Sequence, residues 1–260
     1  MRYKVLCGYI RQRWDCGDTV EIEEKHTGKY GARGQIREKK RKATPEEIKK
    51  HNQWKRERDV RRLIKWNFRE RDYWITLTYP KGCRPTWEEM KNHAGKLVRK
   101  MREKYKKQGW TLKYIYRLAI GSRGGRHIHI LINRESNEKT ATDLIITDLW
   151  EQQWGHGHVN FRTTYSEGGY KQLAEYLTKP LEEWEPDEVK RYHPSRNLIR
   201  KGPEVDEIKR RSLVDCDGTP RMPKAPKGYY VDPESIEVGI NPITHYAYRH
   251  YTLIKIKKRE

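Results

Sequence analysis

The stretch Arg126-His127-Ile128-His129-Ile130-Leu131-Ile132-Asn133 constrains the fold more than any other. Successive side chains of a strand point to opposite faces. Ile128, Ile130 and Ile132 must therefore enter a core, while His127 and His129 share the other face. The strand rise puts their Cα atoms roughly 6.5–7 Å apart, close enough for two imidazoles to converge on one divalent ion. Gly121-Ser122-Arg123-Gly124-Gly125 precedes this strand, and the β-forming segment from Leu112 to Ile120 precedes that turn. Together they predict an antiparallel hairpin with one buried and one chemically equipped face.

The remaining elements build a sheet and its cover. Tyr3 to Ile10 and Thr19 to His26 read as strands around a turn at Cys16, Gly17 and Asp18, followed by a basic glycine loop from Gly28 to Gly34. Thr44-Pro45-Glu46-Glu47 is a capping box that opens a helix running to about Phe68. Tyr73 to Tyr79 reads as a strand stopped by Pro80. Thr86 to Glu89 is a second capping box, opening a helix to about Lys107. Thr140 to Trp154 predicts a helix, Gly157 to Thr164 a strand, and Gly169 to Thr178 a short helix closed by Pro180. Beyond this only Thr252 to Lys257 reads as a strand. Helices between antiparallel strands predict an α+β class. Three segments are expected: N-terminal strands and basic loop over 1–36, a central domain over 37–200, and a C-terminal extension over 201–260.

Charge narrows the partner. The chain carries 57 Lys and Arg against 36 Asp and Glu, a net +21, and sixteen of those cations against six acids fall between Arg33 and Arg71. Nine Trp and 17 Tyr argue for a folded core beneath this basic surface. Such an excess implies a polyanion, and nucleic acid fits because neutralised phosphates release counterions. No run approaches the roughly 20 apolar residues of a membrane span. Met1-Arg2-Tyr3-Lys4 does not open a signal peptide. Cys7, Cys16, Cys83 and Cys216 lack metal-knuckle spacing and read as reduced thiols.

Two groups of residues carry candidate chemistry. His127 and His129 form the metal-binding pair; Glu175 and His158, the latter spaced from His156 as the first pair is, are possible third ligands. Imidazole with carboxylate and no thiolate favours Mg²⁺ or Mn²⁺. Tyr176 is the candidate nucleophile. Lys179, three residues on, shares its helical face and can stabilise a phenolate. Attack on a DNA phosphodiester would give a phosphotyrosine and a free 3′-hydroxyl. Tyr170 lies a net 240° or so from Tyr176 around a helix, so it can act as a second nucleophile only from outside the regular helix. Arg123 and Arg126 beside the glycine turn, with Thr78 and Tyr79, are candidate DNA contacts. Trp74 is a core residue or a base-stacking platform.

In order, Trp74 to Tyr79, Arg126 to Asn133, and Tyr170 to Lys179 resemble the three motifs of the HUH endonuclease superfamily. The likeness is to rolling-circle replication initiator proteins of bacterial plasmids, phages and integrated elements. Thr44-Pro45-Glu46-Glu47 with Asn67-Phe68, and Ser195-Arg196-Asn197-Leu198, are also similar to flanks in a Firmicutes group. The resemblance covers Arg37 to Leu198. It implies a five-stranded antiparallel sheet with helices packed on it, a divalent metal on His127 and His129, and sequence-specific nicking of single-stranded or hairpin origin DNA through a 5′-phosphotyrosine on Tyr176. Many relatives carry a Glu seven or eight residues before the first histidine; Ala119 and Ile120 stand there in this chain. No Walker-type loop is present, so the resemblance implies a separate host helicase and polymerase in a bacterial cytoplasm. Two other readings compete: a hairpin-binding protein without catalysis, and a phosphoesterase that uses the two histidines as acid and base.

Overall fold

The computed structural model describes residues 8–27, 42–165, 167–186, 190–209 and 213–256. The chain divides into two units, Gln53–Ile199 and the combination of Met1–Asn52 with Arg200–Glu260. The fold is α+β, with four α-helices and two antiparallel sheets among the described residues.

The Gln53–Ile199 unit is built on a five-stranded sheet. Its strands are β3 (Tyr73–Thr78), β4 (Tyr114–Ile120), β5 (Arg126–Ile132), β6 (Val159–Thr163) and β7 (His193–Pro194), in the order β6-β3-β5-β4-β7. The alternation read in β5 decides which helices cover which face. Ile128, Ile130 and Ile132 join Ile75, Leu77 and Leu118 against α2 (Trp87–Lys107), which contributes Met90, Ala94, Leu97 and Met101. α3 (Thr142–Thr147) adds Ile145 and Ile146 to the same layer. On the opposite face Leu131 and Ile115 pack with Val60, Leu63 and Ile64 of α1 (Pro45–Asn67) and with Ala174 and Leu177 of α4 (Lys171–Thr178). The sheet is thus a middle layer with helices on both sides, each side closed by apolar burial.

Both capping boxes form. Glu47 Oε2 accepts from the Thr44 amide at 2.9 Å and Thr44 Oγ1 from the Glu47 amide at 3.2 Å. Thr86 and Glu89 repeat the exchange at 2.7 and 3.2 Å, satisfying helix-start amides that otherwise lack partners. Gly157 supports a close approach of chain segments. Its φ is +122°, and a Cβ there would stand 2.3 Å from the Thr78 carbonyl oxygen.

The other unit is a six-stranded sheet drawn from both ends of the described chain. It contains β1 (Tyr9–Asp15), β2 (Thr19–His26), β8 (Glu204–Ile208), β9 (Tyr229–Val231), β10 (Glu237–Ile240) and β11 (Ala247–Lys255). The order is β10-β11-β2-β1-β8, with β9 also on β11. Glu24 is fully buried between two cations: Arg11 Nε donates to it at 2.7 Å and Arg249 Nε at 2.5 Å. A buried carboxylate is tolerable only when paired in this way.

Several boundaries differ from the sequence reading. The first described strand is Tyr9–Asp15, whereas a strand from Tyr3 to Ile10 was expected; Tyr3 to Cys7 and the loop from Gly28 to Gly34 lie outside the described residues. Arg11 and Arg13 in β1 hide its alternation, because their charges are met across the sheet by Glu24 and Glu204. The helix expected to Trp154 is α-helical only to Thr147 and widens into a π-helical turn over Asp148–Gln153. Four described strands beyond Arg200 replace the single one expected. β8, Glu-Val-Asp-Glu-Ile, is an exposed edge strand with almost no apolar signal. Cys16, Cys83 and Cys216 are free thiols.

Candidate active site

Side chains directly opposite one another on neighbouring antiparallel strands lie on the same side of a sheet. The register therefore lays out the face beneath α1 and α4 as rows. One row is Ala119, His127 and Thr78. The next is Arg117, His129, Thr76 and Asn160, and the third Ile115, Leu131, Trp74 and Arg162. The apolar third row anchors the helices. The two polar rows hold the histidines.

α4 brings Tyr176 to these rows. Ala174 and Leu177 bury the inner side of the helix on Leu131 and Ile115, which leaves Tyr176 38% exposed. Its ring meets His129 edge-on with centroids 4.9 Å apart and Trp74 edge-on at 5.6 Å. Trp74 stacks on His129 at 5.5 Å and 7°. Each such contact contributes about 0.5–1.5 kcal/mol beyond area burial. The three rings therefore fix one another over the centre of the sheet. Burial pushes the Tyr176 phenol above its ordinary value; Arg117 opposes this and Glu185 adds to it.

The two histidines are held differently. Thr76 Oγ1 shares a hydrogen bond with His129 Nδ1 at 3.1 Å. Burial, with His127 and Arg117 nearby, lowers the His129 pKa to about 4, so the imidazole is neutral at physiological pH. His127 is also lowered by burial. Its Nδ1 is buried without a hydrogen-bond partner. A Cβ at Gly125 would stand 3.2 Å from His127 Nε2, and one at Gly121 3.4 Å. The two glycines therefore keep the edge of this imidazole clear. The ring centroids are 6.0 Å apart. An unpartnered buried nitrogen beside a second neutral imidazole is a donor set that a divalent cation would satisfy. Among the described residues no group of three His, Cys, Asp or Glu side chains converges.

Arg117 is the functional neighbour that sequence reasoning missed. Its Nη1 donates to the carbonyl oxygens of Tyr176 and Leu177, both at 3.3 Å, and of Lys179 at 2.6 Å. Its Nη2 lies 3.5 Å from Glu185 Oε2, and the two side chains are 3% and 1% exposed. Glu185 Oε1 in turn accepts from the Ile120 amide at 3.2 Å. The guanidinium carbon stands 6.0 Å from the Tyr176 ring centroid. The only hint in the sequence was an arginine inside an otherwise apolar strand, Tyr-Ile-Tyr-Arg-Leu-Ala-Ile.

Lys179 is placed otherwise than its spacing implied. α4 ends at Thr178, Lys179 turns to an extended conformation, and its ammonium pairs with Glu182. Arg117 is the cation at the Tyr176 ring. His158 has a 92% exposed side chain and lies 3.7 Å from Glu151. His156 packs on His93 at 4.2 Å, away from the first pair in sequence and in partners. Glu175 is exposed on α4. Tyr170 does precede the regular helix, with φ of 61°, but it is buried in the core with Val60 and Leu63. Tyr79 bonds His93 Nδ1 at 3.0 Å and packs on Trp150. Thr78 Oγ1 donates to the His158 carbonyl at 3.2 Å. Arg126 is tied to the Pro85 and Gly124 carbonyls at 3.2 and 2.9 Å, whereas Arg123 is exposed.

Residues 72–181, somewhat under half of the chain, match a family model of replication-associated proteins of the ORF2 type. The matched segment runs from the start of β3 to just past α4, and so contains Trp74, Thr76, Arg117, both histidines and Tyr176. The match supports a role in DNA replication, with DNA as partner. No curated protein and no solved structure matches the chain. No helix among the described residues is long and apolar enough to cross a membrane.

Proposed function

We propose that this chain nicks and rejoins a DNA strand to start rolling-circle replication, with Tyr176 as nucleophile. The observation that carries the reading is the placement of a half-exposed tyrosine ring 4.9 Å from His129, within the segment matched to a replication-associated family. The Tyr176 oxygen attacks the phosphorus of a phosphodiester. The bond from phosphorus to the 3′-oxygen of the preceding nucleotide breaks. The phenol proton passes to solvent, and the departing 3′-oxygen takes a proton to become a free hydroxyl. The new 5′-phosphotyrosine ester is close in energy to the bond it replaced, so reversal needs no ATP.

His127 and His129 would hold a divalent cation, Mg²⁺ or Mn²⁺. Bound there, it supplies Lewis-acid charge neutralisation at the phosphate under attack. With two imidazoles and no carboxylate in reach, the softer Mn²⁺ is favoured over Mg²⁺. Thr76 orients His129 by accepting the Nδ1 proton, leaving Nε2 as the ligating nitrogen. Trp74 fixes the ring plane. Arg117 adds positive potential beside the phenol, favouring the anionic form as attack proceeds. Strand separation and synthesis would fall to a separate helicase and polymerase.

The test is a denaturing gel after incubation with a pool of single-stranded oligonucleotides and Mn²⁺. A retarded protein band that disappears in Tyr176→Phe supports the reading. Binding without a retarded band would instead identify a non-catalytic hairpin- or strand-binding protein, which the alanine opposite His127 makes the second reading. Cleavage that survives both EDTA and Tyr176→Phe would point to histidine acid–base chemistry.

A further inference from the structure

We propose that Arg56 and Arg191 form a separate anion site that takes a backbone phosphate of the DNA strand engaged at Tyr176. The proposal rests on the DNA reading above and adds a place on the protein where the strand is gripped away from the reacting bond.

Arg56 lies on α1, and Arg191 in the segment before β7. Their Nη1 atoms donate to one and the same acceptor, Gln53 Oε1, at 3.2 and 2.5 Å. Gln53 is itself fixed, because its Nε2 donates to Glu57 Oε1 at 2.6 Å and to the Thr178 carbonyl at 3.1 Å. A single neutral oxygen thus stands between two guanidinium ions. Among the described residues no carboxylate lies within ion-pairing distance of either, and Glu57 is taken up by the Gln53 amide. Nε and Nη2 of both arginines make no hydrogen bond to the described residues. Both side chains are half-buried, so their heads are held in place rather than free to separate. Like charges held so close are relieved by an anion that bridges them. Burial lowers the Arg191 pKa, and Arg56 and Arg117 lower it further, which reports the same crowding.

A phosphodiester suits the geometry, because the planar fork of a guanidinium matches two phosphate oxygens. The location suits the strand. Arg191 Nη1 also donates to the Thr178 carbonyl at 3.0 Å, two residues past Tyr176. Offsetting the negative end of α4 would account for Arg191. It does not account for Arg56, which bonds no carbonyl of that helix and is nevertheless drawn to the same amide oxygen.

The test uses the full chain with Tyr176→Phe, so that binding is read without covalent capture. The probe is a fluorescent single-stranded oligonucleotide of mixed sequence, roughly 25 nucleotides long to exceed the site size of a typical single-strand binder, titrated by anisotropy across a salt series. Arg56→Gln, and Arg56→Gln with Arg191→Gln, should weaken binding several-fold. They should also reduce the slope of log K against log salt by roughly 0.7, the value for one single-strand phosphate. Lys100→Gln, on α2 and paired with Glu103 at 2.9 Å, should leave the slope unchanged. Arg56→Gln touches no helix end, so it carries the test even if the double variant is unstable. Slopes equal to that of the parent in both arginine variants would overturn the proposal. So would a case in which millimolar inorganic phosphate raises the parent's Tm in an Arg56-dependent way while strand affinity ignores both substitutions, since the site would then serve free phosphate. Adduct formation by the chain with Tyr176 intact is scored separately. An arginine effect without any adduct keeps this site and removes the nicking chemistry; an adduct without an arginine effect does the reverse.

Discussion

Arg117 and Tyr176 are joined through the backbone: the guanidinium on β4 binds the carbonyl of the candidate nucleophile and of two residues that follow it. The strand opposite β4 carries His129 in register with Arg117. One buried side chain therefore links the helix bearing the phenol to the strand bearing the imidazole. Removing it by Arg117→Met leaves the Glu185 carboxylate buried and unpaired, a cost of about 3–5 kcal/mol. At roughly 2–4 °C per kcal/mol for a unit of this size, thermal unfolding by circular dichroism should fall by about 10 °C. Arg117→Met with Glu185→Leu should recover much of the loss. An unchanged Tm in the single variant would remove the pair from any positioning role.

The histidines make stability depend on pH in a definite direction. His129 has a folded pKa of about 4 against an ordinary value of about 6.5. Between these values the unfolded chain binds more protons, so stability falls as pH drops from about 6.5 to about 4 and then levels off for this group. Burial lowers His127, His93, His156 and His193 in the same sense. His129 alone can contribute up to about 3 kcal/mol. Urea titrations at about pH 7.5, 6 and 5, which bracket this window, should give falling midpoints, with the decline at the lowest pH smaller in His129→Gln. Midpoints flat across this range would contradict the buried placement.

Ala119 faces His127 across the β4–β5 pair. A carboxylate introduced there would stand beside the proposed metal ligands. Ala119→Glu should therefore tighten Mn²⁺ binding at least about tenfold by calorimetry, since affinity for such ions follows the number of charged ligands. The gain should vanish in His127→Ala. Equal Mn²⁺ affinity with and without the new carboxylate would separate His127 from metal binding.

Gly157→Ala should destabilise the protein by about 2 kcal/mol or more, because a side chain is placed where the backbone cannot accept one. The left-handed φ penalises any side chain, and the Thr78 carbonyl occupies the space its Cβ needs. A Tm within about 1 or 2 °C of the parent, at roughly 2–4 °C per kcal/mol, would show that the segment moves aside.

The central sheet was legible because β5 alternates cleanly and its neighbours carry turn and cap signals. The pair His127 and His129, with Tyr176, could be named from spacing alone. The cation beside Tyr176 could not. Lys179 satisfied the i,i+3 rule, but the helix stops one residue before it, and the competing guanidinium comes from a strand some sixty residues earlier. Local periodicity carries no information about such a long-range pairing. Neither did it reveal β8 or β1, whose charges are neutralised only across strands. Tyr170 met the stated condition of lying before the regular helix, yet the apolar neighbours that bury it come from α1.

The six-stranded sheet sets a schedule for biosynthesis. β2 sits between β1 and β11, but β11 follows it by roughly two hundred residues. At ribosomal speeds of about 5–20 residues per second, β2 waits on the order of ten seconds or more with one edge open. A nascent chain stalled before Ala247 would carry that open edge to its neighbours, and premature termination late in the message should yield aggregates rather than a shorter working protein.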